Sequence, residues 1–193
     1  MARIVRMLLL AVLALAPAGF IRAQEVGPTE IVSFHGLTFP AAIAGAERFS
    51  VRDYEKDNPG LGYSVGYRAP DVVSTVYIYD LKTSGIPEDP SAPSIKAQFA
   101  QAKGDMLRAV RQGTYAKIDL KDQFSIEDAR KRPRLVCVAA TLVPTGQPTE
   151  LASYLCVGGW KDKFIKFRTT GEQLPESAFR RFVQAWVDLL WPS

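Results

Sequence analysis

Residues 60–80, GLGYSVGYRAPDVVSTVYIYD, run through two stretches of period-two alternation on either side of a single turn signal. Alternation of that kind suits extended chain with one face buried, so this stretch reads as a β-hairpin around which the rest must be arranged. Leu61, Tyr63, Val65 and Tyr67 share one face of the first arm. Val73, Thr75, Tyr77 and Tyr79 share one face of the second, across a turn at Arg68, Ala69, Pro70 and Asp71. With that turn centred on Pro70, residues whose numbers sum to 140 face each other: Tyr67 with Val73, Val65 with Thr75, Tyr63 with Tyr77, Leu61 with Tyr79. Such aromatic and β-branched pairs contribute about 0.2–1 kcal/mol each. The other side of the first arm, Gly62, Ser64 and Gly66, is small enough for a backbone or a helix to lie close. Tyr63, Tyr67, Tyr77 and Tyr79 form the candidate binding surface, because tyrosine joins contact area to a polar tip; core packing is the alternative for them.

Residues 1–23 read as a secretory signal. Arg3 and Arg6 lead into the apolar run 7–16, and Ile21, Arg22 and Ala23 end it, with cleavage expected after Ala23 or else after Ala18. The run is about half of what a membrane-spanning helix needs, and no cysteine follows it to carry a lipid. Removing 23 of 193 residues leaves 170, the size of one domain with a proper core. Three of the 24 basic residues (Arg3, Arg6, Arg22) lie in the signal and none of the 20 acidic ones does, so the net charge of +4 falls to near +1. A chain so balanced has no general electrostatic pull on nucleic acid.

Taken in order, residues 24–33 lack periodicity and read as a flexible arm ahead of a single domain over 34–193. Phe34, Gly36, Leu37 and Phe39 suggest a short strand, and residues 49–54 a second. Asp57, Asn58, Pro59 and Gly60 mark the turn into the central hairpin, and four of the ten residues 84–93 are Gly or Pro, as in a loop. A helix opens at Pro93 or Ser94, carries Ile95, Phe99, Ala102, Met106 and Val110 on one stripe, and stops at Gly113. Residues 115–126 read as a strand and 127–132 as a turn. A second hairpin pairs 134–143 with 151–157, and Trp160 with 163–168 makes a further strand. Pro175 and Glu176 open the last helix, whose apolar face is Phe179, Phe182, Val183, Trp186, Leu189 and Leu190. The fold class is therefore α+β, an antiparallel sheet of hairpins flanked by a long central helix and a C-terminal helix.

In that order of elements, carried by residues 61–80, the helix 95–110 and the hairpin 134–157, the chain resembles the PsbP-like group of small αβα proteins, which includes extrinsic photosystem subunits and exported bacterial relatives. It is also similar to small exported proteobacterial proteins without a known activity. The resemblance implies a fold and assigns no site residue.

Several chemistries can be weighed on the residues themselves. Gly62, Ser64 and Gly66 match the G-x-S-x-G nucleophile elbow, but a strand follows where a helix is required, and His35, the one histidine, lies upstream of the serine. The same glycines start a dinucleotide fingerprint that Val65 breaks. His35 on its own reads as structural, and one His with two Cys makes no transition-metal set. Asp53, Glu55 and Asp57 imitate a calcium loop without its glycine or its final glutamate. No cofactor, metal or catalytic residue is expected.

Cys137 and Cys156 are the most informative pair. Their numbers sum to 293, as do those of Gly146 and Gln147 at the centre of the second hairpin, so they should oppose one another as a disulfide. Together these features point to an exported, periplasmic or secreted, non-enzymatic module that binds an envelope protein or a small ligand. The alternatives are a small periplasmic hydrolase built on Ser64, and a membrane-surface protein using the last helix, where Arg180 and Arg181 stand beside Trp186 and Trp191.

Overall fold

The alternating second half of the chain forms four long strands in succession. The computed structural model, which describes residues 24–25 and 30–193, joins them to the N-terminal strands in one antiparallel sheet. The signal expected over 1–23 lies outside the described residues, as do 26–29 of the arm. Elsewhere in that arm β1 (Gln24–Glu25) lies against Val51 and Ser50, Glu30 and Ile31 are in no strand, and β2 (Val32–Phe34) forms a small separate hairpin with β3 (Leu37–Phe39). One strand was expected there. His35 and Gly36, at φ 52° and 77°, instead turn the chain back within two residues.

β4 (Ala42–Ile43) and β5 (Ala46–Asp53) are followed by β6 (Tyr63–Ala69) and β7 (Val72–Tyr79), then α1 (Pro93–Arg111), then β8 (Tyr115–Glu127), β9 (Pro133–Pro144), β10 (Leu151–Trp160) and β11 (Lys163–Gly171), and finally α2 (Glu176–Leu190). The strand order is β1-β5-β6-β7-β11-β10-β9-β8, with β4 also on β5. Two meanders thus meet at the β7–β11 pair. The chain leaves β7, crosses in α1 to the far edge, and returns through β8, β9 and β10. On its face of the sheet α1 therefore packs on β8, β9 and β10, and among the described residues no helix covers the first meander. α2 packs on the other face, so the sheet lies between two helices with a hydrophobic cluster under each.

Both helices follow from spacing. In α1, Pro93 occupies a first-turn position where its missing N–H costs nothing. Ile95, Phe99, Ala102 and Met106 are buried, and the stripe ends on Ala109, with Val110 turned aside. Gly113, at φ 75°, closes the helix: its N–H reaches Val110 O and that of Thr114 reaches Ala109 O, a Schellman motif. α2 buries Phe179, Phe182, Val183, Trp186, Val187 and Leu190, whereas Leu189, expected on that face, is 47% exposed. Each fully buried large apolar side chain contributes about 1.5–3 kcal/mol, so this stripe, more than helix propensity, holds α2 in place. Pro175 precedes the helix as its N-cap instead of lying within its first turn. Trp160 ends β10 rather than starting β11, because Lys161 and Asp162, at φ 45° and 61°, make the turn between them.

The two hairpins answer differently to their sequence registers. In the second, Cys137 opposes Cys156 as expected, with α-carbons 4.1 Å apart and the sulfurs bonded. The central hairpin is paired one residue out from expectation: Tyr63 lies opposite Ile78, Val65 opposite Val76 and Tyr67 opposite Ser74. The turn is the two residues Pro70 and Asp71, with Asp71 at φ 57°, the sign pattern of a type II turn. A one-residue slip moves a whole arm to the other face. Tyr63 and Tyr67 accordingly lie on the α2 face, and Tyr77 and Tyr79 on the α1 face.

Candidate functional site

The half of the α1 face that α1 leaves open is tiled by β5, β6, β7 and β11. Cross-strand partners place Arg52, Ser64, Tyr77 and Lys166 in one row, and Ser50, Gly66, Thr75 and Arg168 in the next. The first row spans three strand spacings, about 14 Å, with a guanidinium at one end and an ammonium at the other. Three of these side chains are cations, and among the described residues none is ion-paired to a carboxylate. The small faces of Ser64 and Gly66 admit no second backbone or helix. Ser64 Oγ donates to Tyr54 Oη at 3.3 Å, and a Cβ at Gly66 would run into Ser50 Oγ and the Phe49 ring. Phe49 is capped in turn by the Arg68 guanidinium, 4.2 Å from its ring centroid.

Where this half-sheet meets the flank of α1 there is a small cleft of about 50 Å³, lined by Tyr77, Leu155, Lys166 and Arg168 from the sheet and by Ala102, Asp105 and Met106 from the helix. Lys166 is its central group. Its ammonium lies 4.3 Å from the Tyr77 ring centroid and 5.5 Å from that of Tyr79. Burial, reinforced by the neighbouring Arg168, pulls its pKa down to about 8, against a smaller upward pull from Asp105. Asp105 itself pairs with Arg108 at 2.9 Å. Burial raises the Tyr77 phenol above its ordinary value, and the Tyr54 phenol adds to this, while Arg168 and Arg52 pull the other way. A lysine held next to a second cation in a partly enclosed place is the arrangement that an incoming anion relieves.

The four tyrosines singled out by sequence are not brought together. Tyr67 is wholly buried under α2 and donates to Pro40 O at 2.9 Å, and burial raises its pKa. Half-buried Tyr63 stacks on Phe34 with centroids 3.7 Å apart. Tyr79 is 6% exposed under α1 and accepts from Gln98 Nε2 at 3.0 Å. Tyr77 alone lies in the cleft. Ser64 sits at the second position of β6 on the α1 face, and His35 stands in the β2–β3 turn against Tyr63, which faces the other way. The two are therefore on opposite sides of the sheet. Trp186 and Trp191 are both buried, Trp186 wholly so among the rings of Phe39 and Tyr67, and Arg180 pairs with Glu176. Of the acids resembling a calcium loop, Glu55 closes its own loop by accepting from the N–H groups of Gly60 and Gly62, and Asp53 accepts from that of Lys56.

A second charged cluster went unread in the sequence. Arg134 bridges Asp128 and Glu88 at 2.9 and 2.8 Å, Arg132 also pairs with Asp128, and Trp191 Nε1 donates to Glu88 Oε2 at 3.0 Å. Burial alone would raise the Asp128 pKa, but hydrogen bonds from Arg132, Arg134 and Arg130 hold it well below the ordinary carboxylate range. This cluster ties the β8–β9 turn, the loop before α1 and the end of α2 together. An open depression of about 340 Å³ adjoins it, lined by Glu127, Asp128, Lys131, Arg180 and Gln184 among others. Asp128, Arg180 and Gln184 there are already engaged by neighbours, so the depression offers less unspent charge than the Lys166 cleft.

The signal for the cleft was present in β11, where Lys166 and Arg168 alternate with Ile165 and Phe167 and so share one face. Its other wall depends on where α1 lands, which no local pattern states. Among the described residues no helix is long and apolar enough to cross a membrane. Comparison with protein families, curated proteins and solved structures finds no match for this chain.

Proposed function

We propose that the chain is an exported, non-enzymatic binding module of the cell envelope, whose partner or ligand sits on the open half of the α1 face. The observation that carries this reading is the set of three cations, Arg52, Lys166 and Arg168, spread over a sheet face that, among the described residues, has neither a covering helix nor carboxylate partners for them. The Cys137–Cys156 bridge supports export, since disulfides persist in oxidising compartments. The test has two parts. The mass of the non-reduced protein isolated from the envelope, with thiol alkylation before and after reduction, should correspond to a chain starting at Gln24 with both cysteines protected. The immobilised mature chain should retain an acidic component of the envelope fraction, and an Arg52→Glu/Arg168→Glu variant should lose it. Free thiols on a chain starting at Met1, or retention unchanged by the charge reversal, would remove the reading.

A further inference from the structure

The Lys166 cleft is more selective than the sheet face around it. Its volume of about 50 Å³ exceeds what one water requires and falls far below a drug-sized pocket, so it accommodates a head group and a few attached atoms. Its walls are of two kinds. The sheet side presents Lys166 and Arg168, both half-buried and neither ion-paired among the described residues, with the Tyr77 ring beside them. The opposite side presents Ala102 and Met106 of α1, and Leu155 of β10 lies beside Arg168 on the sheet; all three are buried and apolar. Asp105 also lines the cleft, but it pairs with Arg108, and its upward pull on Lys166 is smaller than the downward pull of Arg168.

We infer that this cleft receives an oxyanion carried on a short aliphatic stem, the head on Lys166 and Arg168 and the stem along Ala102, Met106 and Leu155. The inference rests on the open half-sheet being the binding face and names the chemistry it selects. Arg168 offers a planar fork of donors and Lys166 a point charge, a combination that serves carboxylate and phosphate alike. The downward pull on Lys166 from Arg168 is the electrostatic counterpart, since a bound anion between the two cations would relieve their repulsion. The apolar wall is what separates a stemmed anion from a bare one.

The experiment is a titration of the disulfide-intact mature chain with hexanoate, acetate and inorganic phosphate, followed by heteronuclear NMR. Saturable shifts are expected at Lys166, Arg168 and the Met106 methyl, with hexanoate binding several-fold more tightly than acetate. Arg168→Gln should weaken hexanoate by at least about tenfold, the size of one lost charge-assisted hydrogen bond. Lys166→Met provides a second test if the first variant fails to fold, and Arg181→Gln, on the opposite face, should change nothing. Shifts that stay linear for all three probes, saturation by phosphate alone, or hexanoate binding that ignores both cleft variants would each overturn the inference. Linear shifts combined with an envelope component still lost on charge reversal would remove the cleft and leave the module. Saturable, Arg168-dependent hexanoate binding with capture unaffected would keep the cleft and move the envelope partner elsewhere.

Discussion

Lys166 is held against its own chemistry. Half-buried, with Arg168 two residues along the same face and Asp105 pulling more weakly the other way, it carries a charge that the fold would be better without at neutral pH. The folded-state pKa is about 8 against an unfolded value near 10.5, so the unfolded chain binds the extra proton between these two values, and stability rises as pH climbs through that window. Lys166→Met should therefore stabilise the protein at pH 7 by about 1–2 kcal/mol, discounted from the full shift because the ammonium keeps some contact with water. Urea unfolding of both proteins at pH 7 and pH 10 checks this, the gap closing at the higher pH. For the bound anion the sign is reversed: affinity should fall as pH rises through about 8, with Arg168, Asp105, Tyr77 and Tyr79 the other titratable or charged groups facing the ammonium.

Among the elements, the central hairpin carries the clearest lesson. Each arm's alternation was readable, since Tyr63, Val65 and Tyr67 do share a face, as do Thr75, Tyr77 and Tyr79. What failed was the joint between them. Pro70 has its φ fixed near −65° and Asp71 takes φ 57°, so the chain reverses in two residues rather than around a wider turn, and the second arm comes back on the opposite side. Asp71→Val should cost about 1–2 kcal/mol, because a β-branched residue tolerates the left-handed region poorly; thermal unfolding would register it. The disulfide hairpin succeeded for the converse reason: its turn is long and centred between Gly146, at φ 75°, and Gln147, so symmetry about that point fixed the register. Both helices were legible from their three- and four-residue spacing. The cleft was not, because its walls come from β7, β10, β11 and α1, and only the crossover of the chain assembles them.

For the whole molecule, two meanders share one sheet, and the Cys137–Cys156 bond clips only the second. It closes a loop of 19 residues, worth about 3 kcal/mol through the entropy of the unfolded chain. Replacing both cysteines by alanine should lower stability by that order in urea unfolding. Both half-cystines are wholly buried under α2, so reductant should reach them only at the rate at which the sheet opens.

The β7–β11 seam also fixes an order of events. Ile78 pairs with Ile165, and nearly half of the chain lies between them. Until residues 163–171 arrive, β7 presents an unpaired edge to any other chain. A protein assembled this way reaches its slowest step last, since long-range pairing sets the pace of folding, and the newly made chain is most exposed to misassociation just before its final strand docks.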